Sequence, residues 1–454
     1  MTFVATMFLV VAAAALLLVP RRWAPLPLLA GACYMTLGQG IQVGSFSFPI
    51  IRLLLLVGLI RVVLRNERPA GGFAGMDWFL VLWAGWALFA SAFHADLSGT
   101  LVNRMGMVYN TVGVYFLIRC FCQDQEDVVG LVKMTAILLV PVALEMVGEQ
   151  LSQRNLFAVF GGVPEEPEIR NDRLRAQGPF AHSILAGTVG AVCAPLMIGL
   201  WRSHPRVARM GLAACLLMVF ASASSSPLAS VIFGAFALFL WRWRHLTRQI
   251  RIAAVLGYIL LDIVMNAPAY YLIARVDLVG GSTSWHRARL IQSAFEHLDE
   301  WWWAGTDYTR HWMPHGVLWS EDHADITNHY LAQGVKGGMP LMLLFILILW
   351  TGFRYVGKTI RVQNAERAED QFFIWALGAS LFSHAATCIS VAYFDQSFLF
   401  LYSTLAAIAS LHTVAQAQAH PADLDDPESE AVPLAPKSTN PTDGKAGDWA
   451  TFTP

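Results

Sequence analysis

The sequence predicts an all-α, polytopic membrane protein with about 12 to 13 transmembrane helices and a large external loop that contains an amphipathic helix. Of its 454 residues, 56% are hydrophobic and only 14% are charged, which is too apolar for a soluble protein of this length. Apolar runs of roughly 17 to 25 residues, the length needed to cross the hydrocarbon core, recur along the chain. Arginine and lysine collect in alternate connections between these runs, as they do in membrane proteins with a defined orientation.

Thirteen apolar stretches are candidate spans, of which the second, fifth and eighth are weak, so that twelve is a close alternative. They lie near residues 2–20, 24–40, 45–64, 77–93, 105–122, 127–147, 182–201, 207–222, 227–241, 251–270, 338–353, 372–393 and 396–414. The first run is followed, not preceded, by arginines, which indicates an uncleaved anchor and not a secretory signal. Residues 1–414 are thus predicted to form one transmembrane domain.

The positive charges predict which connections face the cytoplasm. Arginine and lysine are concentrated in the connections 21–22, 61–68, 201–209, 242–251 and 354–361. By alternation, two long loops, at about 148–181 and 271–337, lie on the opposite side of the membrane. The segment 415–454 is rich in Pro, Asp, Glu, Ser and Ala and is predicted to be a disordered cytoplasmic tail.

Charge and cysteine usage exclude several classes of function. The formal net charge of −1 gives no reason to expect a nucleic-acid partner. The six cysteines lie within or at the ends of apolar runs and form no CxxC pattern, so neither disulfides nor a zinc site is expected from them. We expect no cofactor.

The first external loop ends in "NDRLRAQGPFAHSILAG", residues 171–187. Here Arg173 and Arg175 precede a Gly-Pro bend and an apolar helix that begins near His182. The free N–H groups at a helix start attract anions, so an arginine beside them suggests that an anion binds between the two. The alternative is plain charge balance with the acidic residues of the same loop.

The second external loop contains the predicted amphipathic helix, in "WHRARLIQSAFEHLDE". At 100° per residue, Arg287 shares a stripe with Ile291, Ala294 and Leu298, whereas the opposite stripe holds Arg289, Ser293, Glu296 and Glu300. Arg287 therefore faces the apolar side and stands in the first turn, where the helix dipole disfavours a cation. A bound phosphate would remove both penalties. Arg289 is read as a candidate ligand contact or as a solvated surface charge.

Hydrogen-bonding side chains are concentrated before the eleventh span, in "SEDHADITNHYLAQGVKGGMPLMLLF". Asp325, Asn328, His329 and Tyr330 would lie where the chain enters the bilayer. A histidine at such a place can take a proton from a hydroxyl near neutral pH, although His329 could equally be a solvated loop residue.

The same loop is rich in histidine and tryptophan. His311 and His315 are four residues apart, but Pro314 argues against the regular helix that would bring both onto one face, and no metal is expected. The tryptophans at 301, 302, 303, 312 and 319 are read as an interfacial aromatic belt. Stacking against sugar rings is the alternative.

Taken in order, these motifs resemble the bacterial O-antigen ligase and polysaccharide polymerase superfamily over roughly residues 25–410. The resemblance rests on "RLRAQGPFAHSILAG", the Ser-rich bend "SASSSPLAS", "RARLIQSAFEHLDEWWWAGTDY" and "NHYLAQGVKGG". It implies an inverting, metal-independent glycosyltransferase of the bacterial inner membrane with periplasmic catalytic loops. The donor would be an undecaprenyl-diphosphate-linked glycan and the acceptor a sugar hydroxyl of a second glycan. The lipid bilayer and other polysaccharide assembly proteins are the further partners expected.

Carried over by position, the resemblance implies that Arg175 and Arg287 hold the diphosphate and that His329 or Asp325 acts as the base. The side chains expected to contact substrate are Arg173, His182, Arg289, Asn328 and Tyr330. The sequence departs from the family in having Thr327 where ligases usually have histidine, and in lacking an arginine in the Ser-rich bend. Both departures favour a polymerase-like or divergent member over a lipid A ligase.

Two other functions stay open at this stage. A transporter or flippase of lipid-linked glycans would carry functional charges near the bilayer midplane. Asp262, Glu145 and His384 are the main ionisable residues deep in the predicted spans, whereas the unusual arginines lie in external loops. A noncatalytic component of an exopolysaccharide assembly system is the second alternative, because the histidine before Asn328 is missing.

Overall fold

The computed structural model describes residues 1–275, 284–317, 320–362 and 368–419, and in these ranges the chain is predominantly α-helical. The helices are α1 (Phe3–Leu18), α2 (Pro25–Tyr34), α3 (Ile50–Leu64), α4 (Gly75–Ala90), α5 (Leu97–Phe121), α6 (Gln125–Ser152), α7 (Ser183–Gly199), α8 (Pro205–Ala221), α9 (Ser225–Phe239), α10 (Thr247–Val264), α11 (Ser284–Glu296), α12 (Leu298–Trp301), α13 (His329–Val362), α14 (Ala368–Thr387) and α15 (Phe398–Ala419).

Strands occur in three short antiparallel hairpins of the described chain. They are β1 (Gly40–Val43) with β2 (Phe46–Pro49), β3 (Glu168–Arg170) with β4 (Arg173–Arg175), and β5 (Gly316–Val317) with β6 (Ser320–Ala324). The second and third hairpins lie in the two long loops that the charge pattern assigns to the outer side, whereas β2 occupies residues that were predicted to begin the third span. No strand was expected at any of these places.

Five helical segments of the described residues are long and apolar enough to cross a membrane. They are Gly75–Phe93, Gln125–Ser152, Ser225–Val264, His329–Val362 and Phe398–Ala419. The prediction of an all-α membrane protein is confirmed to that extent. Every predicted span coincides with at least one helix, but some helices are short, and the count of 12 to 13 spans stays a prediction. For example, α2 has 10 residues where a span over 24–40 was expected, because the chain turns into the first hairpin.

Several boundaries differ from those predicted. Helix α6 continues to Ser152, into the expected first loop. Helix α13 begins at His329, so eight residues predicted as loop are helical before the chain kinks at Gly337 and Gly338. Helix α14 ends at Thr387, short of the predicted residue 393. At the C-terminus, α15 extends to Ala419, five residues into the predicted tail, and 420–454 lie outside the described residues.

Helices α7 and α15 form the centre of the bundle. Helix α7 packs against α8, α9 and α14, whereas α15 packs against α5, α13 and α14. Small residues allow α7 to approach its neighbours closely: a Cβ at Gly190 would lie 2.5 Å from the carbonyl oxygen of Cys215 in α8. Close packing of this kind replaces the hydrophobic effect, which cannot drive helix association inside a lipid bilayer.

The second long loop, which is predicted to be external and is called the external loop below, has its own small core. The predicted amphipathic helix is confirmed as α11, with Arg287, Leu290 and Ala294 on its buried side. That core consists of Leu290, Ala294, Trp301, Trp312, Met313 and Ala324. Ser293 was wrongly placed on the polar stripe, since its side chain is buried and its hydroxyl donates to the Trp312 carbonyl at 2.9 Å.

The tryptophans of this loop divide into two groups. Trp301 and Trp312 are buried in the core of the loop, which an aromatic belt would not predict. Trp302 and Trp303 are 53% and 43% exposed, as expected of interfacial residues. Trp319 lies outside the described residues.

Backbone contacts fix the external loop to the bundle at the kink of α13. The Met339 N–H donates to the Trp302 carbonyl at 2.8 Å, and the Thr306 N–H to the Val335 carbonyl at 3.0 Å. On the neighbouring α4–α5 connection, the Nδ1 of His94 lies 2.5 Å from an Asp307 carboxylate oxygen. These contacts determine where α11, and with it Arg287, lies on the bundle.

Candidate functional site

The first part of the site is the β3–β4 hairpin. Its turn residues, Asn171 and Asp172, both have positive φ, at 50° and 58°, as a two-residue hairpin turn requires. This turn pairs Arg170 with Arg173 and Glu168 with Arg175.

Arg175 is only 5% exposed and joins two motifs of the sequence. Its guanidinium donates to the Glu168 carboxylate at 2.6 Å and to the Ser224 hydroxyl at 2.9 Å. Ser224 belongs to the Ser-rich bend between α8 and α9. Burial lowers the pKa of Arg175 and the Glu168 carboxylate opposes that shift, so the group stays a cation.

His182 stands at the start of α7, as predicted. Its Nδ1 accepts a hydrogen bond from the Ile184 N–H at 3.1 Å, so the neutral ring carries its proton on Nε2. Burial lowers the pKa of His182, and the positive charge of Arg175 lowers that pKa further. His182 is therefore neutral at pH 7, with an Nε2–H that can donate to a ligand.

Arg287 is the least compensated cation of the site. It is 7% exposed, and its Nε donates to the Ser390 carbonyl oxygen at 3.2 Å. Within the described residues no carboxylate lies at ion-pair distance. Burial lowers its pKa, repulsion by Arg170 and Arg175 lowers it further, and Asp325 opposes the shift.

These groups lie close enough to act on one another electrostatically. We call Arg170, Arg175, His182, Arg287 and Asp325 the arginine cluster. Asp325 is exposed and influences both His182 and Arg287. The cluster combines three guanidinium groups, a neutral imidazole and a carboxylate that has no hydrogen-bond partner among the described residues, a set suited to holding an anion next to a hydroxyl group.

No family model and no curated protein matches this chain. The resemblance to O-antigen ligases and polysaccharide polymerases therefore stays an expectation that rests on the motifs.

Two of the predicted contact residues lie at the edge of the site, Arg289 in α11 and Arg173 opposite Arg170 in the hairpin. Arg289 forms an ion pair at 3.3 Å with Glu296 of its own helix and is half-buried, as a surface charge would be. Arg173 is exposed. With Leu174 and Ser224 it lines a cavity of about 750 Å³ between the hairpin and the ends of α6, α8 and α9.

The residues that open α13 are used for internal contacts. The Asn328 side chain accepts from the Leu331 N–H at 3.1 Å and so caps the helix. The Tyr330 hydroxyl donates to the Ala385 carbonyl at 2.8 Å. His329 is 6% exposed, and its Nδ1 accepts from the Tyr393 N–H at 3.1 Å. These contacts support the structure of the bundle and bring none of the three side chains into the cluster.

Two residues of the site were missed by the sequence analysis. Arg170 acts on Arg175, His182 and Arg287, and the two-residue turn signal "ND" between Arg170 and Arg173 could have revealed the hairpin. Ser390 was assigned to a span, and because its backbone carbonyl makes the contact, no side-chain pattern could have identified it.

The structure groups His311 with other side chains than His315, the partner considered for it in the sequence. His297, Glu300 and His311 form a group whose side chains could hold a metal ion, whereas His315 is not part of it. This group lies beyond the far end of α11 from Arg287.

Proposed function

We propose that the protein transfers a glycan from an undecaprenyl-diphosphate-linked donor to a sugar hydroxyl, as a polysaccharide polymerase or an O-antigen ligase-like enzyme. One observation supports this proposal most directly. Arg287, in the loop predicted to be external, is a largely buried cation with no carboxylate at ion-pair distance in the described chain. A buried charge without a partner is costly. A bound phosphate would remove that cost.

The surroundings of Arg287 favour an anion of more than one charge. Arg170 and Arg175 add two further cations, and among the described residues Glu168 is the carboxylate that pairs directly with Arg175. A diphosphate leaving group gains negative charge in the transition state, and prearranged cations stabilise that charge. Guanidinium groups suit this role because they bind phosphate oxygens in pairs.

Asp325 is the base that the arrangement favours for the acceptor hydroxyl. It is exposed, and in the described chain no hydrogen-bond donor contacts its carboxylate. Next to it, Thr327 has a buried hydroxyl that lacks a partner among the described residues. His182 would donate from Nε2–H to a phosphate or sugar oxygen. His329 is omitted, because its Nδ1 is already used inside the bundle.

The location belongs to the same proposal. The chain would cross the bacterial inner membrane twelve or thirteen times, with the cluster on the periplasmic face, where lipid-linked glycans are assembled into polymer. The donor lipid, an acceptor glycan and other polysaccharide assembly proteins would be its partners. The buried Asp77–Arg119 ion pair does not favour a transporter, because Tyr115 donates to Asp77 and backbone carbonyls accept from Nη2 of Arg119, which leaves only Nε of Arg119 without a partner in the described chain.

The test is glycan transfer in proteoliposomes that contain the purified protein and a lipid-diphosphate-linked oligosaccharide. Arg287→Ala should reduce turnover by about 100- to 1,000-fold, the typical loss for a group that stabilises transition-state charge. Arg289→Ala is the matched control, because this residue lies in the same helix and forms an exposed ion pair. It should retain near wild-type turnover, with both variants equally stable in thermal unfolding.

Three outcomes would contradict the proposal. Full activity of Arg287→Ala would show that Arg287 does not contribute to catalysis. Movement of unchanged lipid across the membrane, without release of the lipid diphosphate, would indicate a transporter. Binding of the donor without turnover by the wild-type protein would indicate a noncatalytic assembly component.

A further inference from the structure

A second cluster of ligand-type side chains lies at the opposite end of α11. His297, Glu300 and His311 each offer one ligand atom, and these atoms lie within 4.8 Å of one another. His297 immediately precedes α12 and Glu300 lies within it, whereas His311 comes from the 3-10 turn Arg310–Trp312. Ten residues separate His297 from Arg287, or about 15 Å along a helix. The group is therefore distinct from the arginine cluster.

Hydrogen bonds already orient two of the three side chains. The Nδ1 of His297 lies 2.9 Å from the Ser293 carbonyl oxygen, which can only accept, so Nδ1 carries the proton and Nε2 has a free lone pair. The same arrangement fixes histidines that bind metals. The Trp312 indole N–H donates to one Glu300 oxygen at 3.0 Å, and its ring stacks on His297.

His311 and Glu300 are held by a contact that a metal ion can replace. The Nε2 of His311 lies 2.9 Å and 3.0 Å from the two Glu300 oxygens. A contact this short requires a proton between nitrogen and oxygen. A cation competes for the same lone pairs, and its binding would displace that proton from Nε2, to Nδ1 of a neutral ring or to the solvent from a doubly protonated one.

We propose that His297, Glu300 and His311 form a binding site for a divalent transition metal of the Zn²⁺ class. Two imidazoles and one carboxylate are a ligand set that zinc accepts, and the fourth tetrahedral position stays open to water. The ion would join the turn Arg310–Trp312 to the end of α11, so it would stabilise the external loop that carries Arg287. A metal that binds only the folded loop stabilises it in proportion to its affinity and concentration.

The experiment uses the full-length protein, purified in detergent with an affinity tag that lacks histidine. Zn²⁺ binding is measured by competition with a chromogenic chelator, and ligand geometry by the visible absorption of bound Co²⁺. We expect one ion per chain and a higher unfolding temperature with Zn²⁺. His297→Ala, His311→Ala and Glu300→Gln should each weaken binding on the order of 10- to 100-fold. His315→Ala, in the same loop, should bind as the wild type does.

The combined His297→Ala/His311→Ala variant decides the matter. Zn²⁺ binding equal to that of the wild type would overturn the proposal, as would an equal loss of affinity in His315→Ala. Glu300→Gln separates loss of the ligand from loss of the fold, because its amide oxygen can still accept from Trp312 while the carboxylate charge is gone. None of these measurements uses glycan transfer, so they test the metal site independently of the proposed function.

Discussion

At the scale of single residues, Arg175 and Arg287 are buried to a similar extent but differ in how they are compensated. Among the described residues, the partners of Arg175 are a carboxylate and a hydroxyl, whereas the partner of Arg287 is one backbone carbonyl. The amphipathic pattern of α11 predicted that Arg287 faces inward. The pattern could not predict which group would face the guanidinium, because the Ser390 carbonyl belongs to the α14–α15 connection, far from α11 in the chain.

His182 should make the stability of the folded protein depend on pH. Since burial and Arg175 lower its pKa in the folded protein, the unfolded chain takes up a proton first as the pH falls through about 6.5. The contribution of His182 to stability is therefore complete above that pH and is lost on acidification towards the folded-state pKa. The unfolding temperature of the wild type should fall more between about pH 7.5 and pH 5.5 than that of His182→Asn.

Asparagine is the appropriate replacement because it caps helices without titrating. His315→Asn serves as the control, since it removes an exposed histidine from the external loop. If wild type and His182→Asn lost the same stability on acidification, the lowered pKa of His182 would have no consequence for folding.

At the scale of elements, the kink of α13 is the joint between the membrane bundle and the external loop. Gly338 has φ of 74° and ψ of −178°, a conformation that is essentially restricted to glycine. Just before it, the Gly337 carbonyl accepts from the Trp86 indole at 2.7 Å. The "VKGGMP" sequence indicated a helix entry, but the helix on its N-terminal side was not expected.

Gly338→Ala should therefore destabilise the protein strongly. The backbone strain alone costs about 1–3 kcal/mol. The new methyl group would also overlap the Trp303 carbonyl in the loop. We expect a lower unfolding temperature and earlier proteolysis of the external loop.

Gly357→Ala in the same helix is the matched control. A Cβ there has nothing within 4 Å, so the change should be neutral or stabilise by up to about 1 kcal/mol through helix propensity. Equal unfolding temperatures for the two variants would contradict the assignment of the kink as a structural joint.

At the scale of the whole molecule, the orientation in the membrane determines what the arginine cluster can meet. The charge pattern places the hairpin β3–β4 outside and the α7–α8 connection inside. All six native cysteines are buried, so single exposed cysteines can report on each side. Glu166 and Ser203 are exposed positions in these two connections.

We expect Glu166→Cys to react with a membrane-impermeant maleimide in intact spheroplasts, and Ser203→Cys to react only after the membrane is permeabilised. The wild type provides the background signal. The reverse pattern would put the arginine cluster in the cytoplasm and exclude polymer assembly on the outer face.

The sequence by itself determined the class of the protein, the approximate position of most helices, the amphipathic helix α11 and the helix start at His182. It did so because apolar length, 3.6-residue periodicity and capping are properties of contiguous residues. Only the tertiary structure decided which side chains meet. Arg287 and Ser390 are 103 residues apart, and His329 faces the bundle and not the cluster. Contacts of this kind depend on how helices pack, which no local pattern in the chain encodes.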